Sequence, residues 1–191
     1  MSSTYRNQLE SWLKTIKVDG GSVLDVGGLE KPIQGRVEAY GATRTAILDT
    51  EGGDYVYDLN KPSNPAELFS FEGRQTWDTI FCLEVFEYIW NPIVAMRNLW
   101  SWLPEGGKLY VTFPTNYPLH NPPGIDYMRY TENWIRKVMV EYFKFKSVDI
   151  TPRVIENGQE AIGAFWSLER MHPIKHDERL YHTGYLVESI K

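Results

Sequence analysis

Asp25, Gly27, Gly28 and Asp49 have the types and spacing of a site for a nucleoside. Val23, Leu24, Asp25 and Val26 read as a buried strand, and two glycines follow at once. Glycine past a strand end lets backbone approach a ligand closely, or lets a neighbouring helix pack close. Asp49 ends a second strand-like run, "TRTAILDT", and Asp58 ends a third, "DYVYDL". A carboxylate about twenty residues beyond such a turn is placed to bind ribose hydroxyls in α/β folds. Asp49 and Asp58 acting only as strand caps is the alternative reading.

Three ligands compete for the turn. A P-loop needs a glycine-rich loop closing in Gly-Lys-Ser/Thr, and the chain has no such string. A dinucleotide site needs G-x-G-x-x-G, but Leu29 or Glu30 occupies the second glycine position, depending on the register. A carboxylate at Glu30 beside a helix N-terminus would also repel a pyrophosphate. An adenosyl ligand without phosphates remains. It would use close backbone approach at the glycines and Asp49 on the ribose. Asp25 would orient the turn or reach an amino group, directly or through water.

Other candidates lie further along. Glu84 and Glu87 border the end of an apolar strand, and Glu87 suits the start of a helix, where a carboxylate favours the dipole. His120, Asp126 and Arg129 fall in one loop. An unperturbed histidine suits proton transfer at neutral pH, so His120 reads as a general base or an acceptor-binding residue. Asp126 would orient it or bind substrate, and Arg129 would bind an anion or pair with Asp126. Tyr117, Tyr127 and Tyr130, with Trp166, form a candidate aromatic wall for a sugar or aromatic acceptor. Asn121-Pro-Pro-Gly resembles a base-stacking motif of amino-methylating DNA enzymes, but it follows the fifth strand rather than the fourth and ends in Gly, so it reads as a loop. His172, His176 and His182 lack a helical pair, because Pro173 intervenes, and no metal site is expected. Trp77, Trp90, Trp100 and Trp102 read as packing, and Cys82 as a small buried hydrophobe.

The elements that must position these residues alternate. Leu9, Trp12, Leu13 and Ile16 mark a first amphipathic helix. "WDTIFCLEVF" is a fourth strand, covered on both faces, and "KLYVTFP" a fifth. "PAELFSF", "NPIVAMRNLWSWL" and "YTENWIRKVMVEYF" are helices, the last with Thr131 as N-cap. "FKSVDITPRV" and "HTGYLVESI" form an antiparallel pair at the sheet edge. This order predicts an α/β, Rossmann-like three-layer sandwich, with a mainly parallel seven-stranded sheet and an antiparallel C-terminal strand, as a single domain over residues 1–191.

Composition sets the outer limits. Hydrophobic residues make up 42% of the 191, enough for a core and too many for a disordered chain. The net charge of −5 argues against a broad nucleic-acid surface. One cysteine, no apolar signal core and no membrane-length run point to a reducing, cytoplasmic setting without membrane contact.

Asp25-Val-Gly-Gly resembles motif I of class I S-adenosylmethionine-dependent methyltransferases. "TAILD", "YDLN", "WDTIFCLEVFEYIWNP" and "LWSWLPEGGKLYVTFP" are similar to that family's later segments, in order. "HNPPGIDYMRYTENWIRKVM" resembles a His/Pro loop ending D-Y-x-R-Y-T, found in a subgroup acting on glycans and small molecules. The chain departs from the pattern at Leu29, where the second glycine would stand, and at Tyr88, where a histidine would stand. The resemblance implies S-adenosylmethionine as cofactor and S-adenosylhomocysteine as product. It implies a cofactor site built from Asp25, Gly27, Gly28, Asp49, Thr50, Asp58, Leu59, Cys82, Leu83, Glu84 and Phe86, with His120, Asp126 and Arg129 at the catalytic end. The expected reaction is O-methylation of a sugar or glycan intermediate, or of another small molecule, without metal. A non-catalytic binding module with this fold is the rival; an NAD-linked oxidoreductase fits less well.

Overall fold

The computed structural model describes residues 4–69, 75–116, 125–154 and 182–191. Helix α1 (Thr4–Leu13) leads through β1 (Lys17–Val18) to β2 (Ser22–Val26), β3 (Ala39–Tyr40), β4 (Arg44–Asp49) and β5 (Tyr55–Val56). Next come α2 (Pro65–Leu68), β6 (Thr79–Cys82), a 3₁₀ turn (Phe86–Tyr88), α3 (Pro92–Ser101) and β7 (Lys108–Pro114). The described chain continues with α4 (Glu132–Arg136), which runs into a π-helical turn (Lys137–Tyr142), then β8 (Ser147–Val154) and β9 (His182–Ile190).

Seven strands form one sheet in the order β5-β4-β2-β6-β7-β9-β8, while β1 and β3 pair separately. Neighbours from β5 to β7 are parallel. Strand β9 is antiparallel to both β7 and β8, so it alone runs against the others. The late antiparallel pair thus sits at the edge, as expected, with β8 outermost.

Every residue of β2 and β6 is buried, which explains their near-continuous apolar runs. Alternate residues of the central strands serve two cores. Leu24, Ile80, Cys82, Leu109 and Val111 pack with Met96, Leu99 and Trp102 of the α3 side. Val23, Phe81 and Tyr110 face the other way, against Leu9, Leu13 and Ile16 at α1. Helices on two faces of a mainly parallel sheet give the expected three layers. Trp77 and Trp102 are fully buried, whereas Trp90 stands out into solvent. Among the described residues no helix is long and apolar enough to cross a membrane.

Three elements differ from the expectation, and the segment after the glycine turn, for which the sequence predicts no element, takes an irregular path. No helix follows the glycine turn: residues 27–38 are irregular. Pro32 and Gly35, the latter left-handed at φ +85°, interrupt the helical ladder there. The Ile33 N–H donates instead to Asp25 Oδ2 at 2.6 Å, drawing the chain back over the sheet and burying Ile33 and Val37. The fourth strand stops at Cys82, because Glu84 adopts a left-handed backbone, φ 57°. Glu87 lies buried in the 3₁₀ turn rather than at a helix start. The fourth predicted helix is α-helical only to Arg136; beyond it Phe143 N–H reaches the Val138 carbonyl at 2.9 Å. Its Thr131 cap forms as expected, accepting from Trp134 N–H at 3.3 Å.

One buried amide ties the sheet's left half to α3. Asn98 Oδ1 accepts from Ser63 N–H and Oγ–H, at 3.0 and 2.9 Å. Its Nδ2 donates to the Leu59 and Lys61 carbonyls, at 3.2 and 2.8 Å. Trp102 Nε1 donates to Ser63 Oγ, closing the network. Breaking it strands the buried Leu59 carbonyl and the half-buried Ser63 N–H. Asn98→Ala is expected to lower unfolding free energy by about 2–4 kcal/mol, measured by urea denaturation; a loss within about 0.5 kcal/mol would mean the loop is held by other contacts.

Candidate active site

The two glycines of the turn are required by different neighbours. Gly27 is left-handed, φ +78°, and a Cβ there would overlap Val85 Cγ2. A Cβ on Gly28 would overlap the Asp25 carboxylate. What the second glycine approaches most closely is therefore its own strand's aspartate. Asp25 is only 6% exposed, and the Ile33 N–H occupies its Oδ2. Burial pushes its carboxyl up to about 6, with Asp49 adding to the rise; the Ile33 hydrogen bond and the Arg36 charge oppose it.

A cleft of about 810 Å³ opens at the carboxyl ends of β2, β4 and β6. It runs from Arg6 and Leu9 of α1, past Gly27, to Asp58 on one side and Tyr88 on the other. Seven of the sequence-predicted cofactor residues line it: Gly27, Asp49, Thr50, Asp58, Leu59, Leu83 and Glu84. Asp25, Gly28, Cys82 and Phe86 lie behind its wall. Asp25 and Gly28 shape the turn, while Cys82 and Phe86 are wholly buried in the core. Burial drives the Cys82 thiol well above its ordinary value, with the charges of Glu87 and Asp25 adding to the rise.

Each wall is held by hydrogen bonds. Asp49 accepts from Thr50 N–H at 2.7 Å and, at 3.4 Å, from Leu29 N–H. Leu29 is not left-handed, so the missing glycine leaves no strain; its side chain lies over Gly52. Asp58 Oδ1 accepts from the Asn60 backbone and side chain, both at 2.9 Å. Asn60 Oδ1 in turn accepts from Trp90 N–H and Asn91 N–H, at 2.9 and 3.0 Å. Asn60 thereby spans the cleft floor from the β5 side to the start of α3. Glu84 N–H donates to Thr112 Oγ1 at 2.7 Å, and Arg153 Nη1 donates to Glu84 Oε1 at 2.6 Å.

At the catalytic end, His120 lies outside the described residues, as do Tyr117, Pro122, Pro123, Trp166, His172 and His176. Arg129 Nη2 pairs with Asp126 Oδ2 at 3.0 Å, and its Nη1 donates to the Met128 carbonyl. Tyr127 is exposed, but Tyr130 does not belong to a wall. It is 3% exposed, packs against Phe86, Phe113 and Trp134, and donates its hydroxyl to the Phe86 carbonyl at 3.0 Å. Burial raises its phenol far above the ordinary value. The Glu87 carbonyl accepts from Tyr127 N–H at 2.7 Å, so this segment docks on the 3₁₀ turn. Among the described residues no group of three metal-ligating side chains converges.

No family model matches the chain, and no curated protein matches it by sequence. Solved structures match its fold. An S-adenosylmethionine-dependent methyltransferase from Mesorhizobium loti is 15% identical, with 100% of this chain and 99% of that one covered and a TM-score of 0.60. The N-methyltransferase NodS from Bradyrhizobium japonicum is 10% identical, covering 100% and 98%, with a TM-score of 0.57. The cyclase SpnF is 14% identical, covering 98% and 80%, with a TM-score of 0.58. The chain has the class I methyltransferase fold.

The residues of the cleft also suit that fold's nucleoside cofactor. Asp49 offers a carboxylate to vicinal hydroxyls, and Leu48, Leu59 and Leu83 give apolar contact beside the polar Asp58 and Asn60. The irregular segment after Gly28 presents no helix N-terminus to a pyrophosphate. Arg153, Thr112, Asn60 and Val85 escaped the sequence reading. Asn60, Thr112 and Val85 stand inside the family-like strings "YDLN", "LWSWLPEGGKLYVTFP" and "WDTIFCLEVFEYIWNP", but nothing in those strings marks them as site residues.

The Asp25 carboxyl makes stability depend on pH. Its folded value, about 6, lies above the ordinary 3.8, so between these values the folded chain binds the proton more tightly than the unfolded one. Its contribution is full below about pH 4 and is lost as pH rises through about 6, a swing of about 3 kcal/mol. Urea unfolding of wild type and Asp25→Asn across this range checks it. The stability of wild type relative to the variant should fall with rising pH and level off above about pH 7; a constant difference would contradict the assignment.

Proposed function

We propose that the protein is an S-adenosylmethionine-dependent methyltransferase that methylates an oxygen of a sugar, a glycan intermediate or another small molecule. The observation that carries this reading is the placement of Asp49. Its carboxylate stands at the end of β4 in the same cleft as the left-handed Gly27, on a methyltransferase fold. When bound, S-adenosylmethionine supplies a methyl group activated on a sulfonium. Asp49 binds the ribose hydroxyls. Asp58, Asn60 and Leu59 face the base, and Gly27 keeps the turn clear of side chains beside the amino-acid tail. Thr50 borders the ribose, and Leu83 forms the apolar wall beneath the base.

The chain's share of catalysis is positioning and proton transfer. The acceptor enters beyond the ends of β6 and β7, beside Tyr88 and the segment that carries Tyr127. His120 takes the proton from the acceptor hydroxyl. Asp126 and Arg129, already paired with each other, brace the loop rather than supply an open anion site. The acceptor class rests on the resemblance of the His/Pro loop to a glycan- and small-molecule-methylating subgroup. The same reading assigns the cytoplasm, a small-molecule or glycan partner, and no nucleic acid or membrane. The binding-module alternative draws on Tyr88, which stands where the resembling family has histidine.

Calorimetry of S-adenosylmethionine and S-adenosylhomocysteine, with NAD as control, tests the cofactor. Wild type should bind both adenosyl ligands and not NAD, and Asp49→Ala should weaken them by roughly ten- to a hundredfold. Binding of NAD alone, or of nothing, sinks the reading. Methyl transfer from labelled cofactor to a sugar panel then separates enzyme from module. A His120→Ala enzyme with full turnover would remove the base assignment.

A further inference from the structure

An adenosyl cofactor with an amino-acid tail needs an acceptor for its ammonium. The sequence offers Asp25, but Asp25 is nearly sealed from solvent and its Oδ2 serves Ile33. Five other carboxylates line the cleft: Glu30, Asp49, Glu51, Asp58 and Glu84. Glu30 and Glu51 are exposed at the rim. Asp49 and Asp58 stand on the β4 and β5 side, where the nucleoside is assigned. Glu84 stands on the other side of Gly27, which its neighbour Val85 touches, and follows the strand paired with β2.

Glu84 is unusually well held for a cleft residue. Its left-handed backbone, φ 57°, is rare for a side chain of this kind, and such outliers gather at ligand sites. Thr112 fixes its N–H, and Arg153 fixes one carboxylate oxygen. The pair is lopsided: the Arg153 side chain has no exposure, while that of Glu84 is 35% exposed. Arg153 lies near the end of edge strand β8, yet its guanidinium meets a carboxylate from the end of β6. A buried guanidinium cannot shed its charge and gives hydrogen bonds in a fixed plane, so it sets the direction of the partner carboxylate.

We infer that Glu84, rather than Asp25, receives the α-ammonium of the adenosyl cofactor, and that Arg153 is the positioning residue that aims it. This rests on the cofactor reading above. The test compares S-adenosylhomocysteine with 5′-methylthioadenosine, which keeps the nucleoside and thioether but has no amino-acid tail, by calorimetry. Glu84→Gln keeps the size and a hydrogen bond for Arg153 while removing the charge. It should weaken S-adenosylhomocysteine by about tenfold or more and change 5′-methylthioadenosine by less than about twofold. Arg153→Met should show the same ligand selectivity, and Arg153→Lys a smaller loss. If Glu84→Gln binds S-adenosylhomocysteine as wild type does, or loses both ligands equally, the assignment is overturned while the cofactor reading stands. If wild type binds neither ligand, both fall together.

Discussion

The hydrogen bond from Ile33 N–H to the buried Asp25 carboxylate sets the conformation on which the rest of the cleft depends. With no helix after β2, this contact bends the chain and determines where it goes. Gly28 must lie flat against the carboxylate, and Gly27 must turn left-handed to clear Val85. The bend carries Leu29 N–H to Asp49 and buries Ile33 and Val37. It also brings Arg36 to Glu10, with Nη2 and Nε bonds of 3.0 and 3.2 Å, and Lys31 to the same carboxylate at 2.7 Å. Those contacts hold α1, and so Arg6 and Leu9, at the mouth of the cleft. Burying a carboxylate is costly, and the raised Asp25 value records that cost; the benefit is a turn with one conformation.

The opposite wall is fixed by amides rather than charge. Asn98 holds the 59–63 segment on α3, and Asn60 holds it to the N–H groups of Trp90 and Asn91. Neutral amides can both donate and accept, so each closes a loop without a buried ion. The two walls are therefore stabilised differently. The glycine side responds to pH through Asp25, while the Asp58 side depends on hydrogen-bond geometry.

The sheet was legible in the sequence because a buried strand imposes a continuous or alternating apolar pattern on its own residues. Leu24, Ile80 and Leu109 are local evidence of that kind, and so is the position of Asp49 at a strand end. The irregular path after Gly28 follows from Pro32 and the left-handed Gly35, which break a helical ladder locally. Arg153 could not be read, because its partner is 69 residues away in sequence and meets it only across the folded sheet. Tyr130 departs from its sequence pattern for a related reason. An aromatic residue with a polar tip suits a pocket, yet its hydroxyl found the Phe86 carbonyl inside the core.

Charge distribution links these local facts to ligand choice. The cleft carries Glu30, Asp49, Glu51, Asp58 and Glu84 against Arg6, Lys31 and Arg36, and the last two are engaged with Glu10. Arg129 and Arg153, which a phosphate or carboxylate ligand would use, are each bonded to a carboxylate of this chain. A ligand entering such a cleft meets an excess of acceptors and negative charge. A pyrophosphate is repelled by that field, whereas a sulfonium and an ammonium are attracted. The same turn that lacks a helix N-terminus for phosphate thus sits in a field that disfavours phosphate, and two independent physical constraints favour a phosphate-free adenosyl ligand.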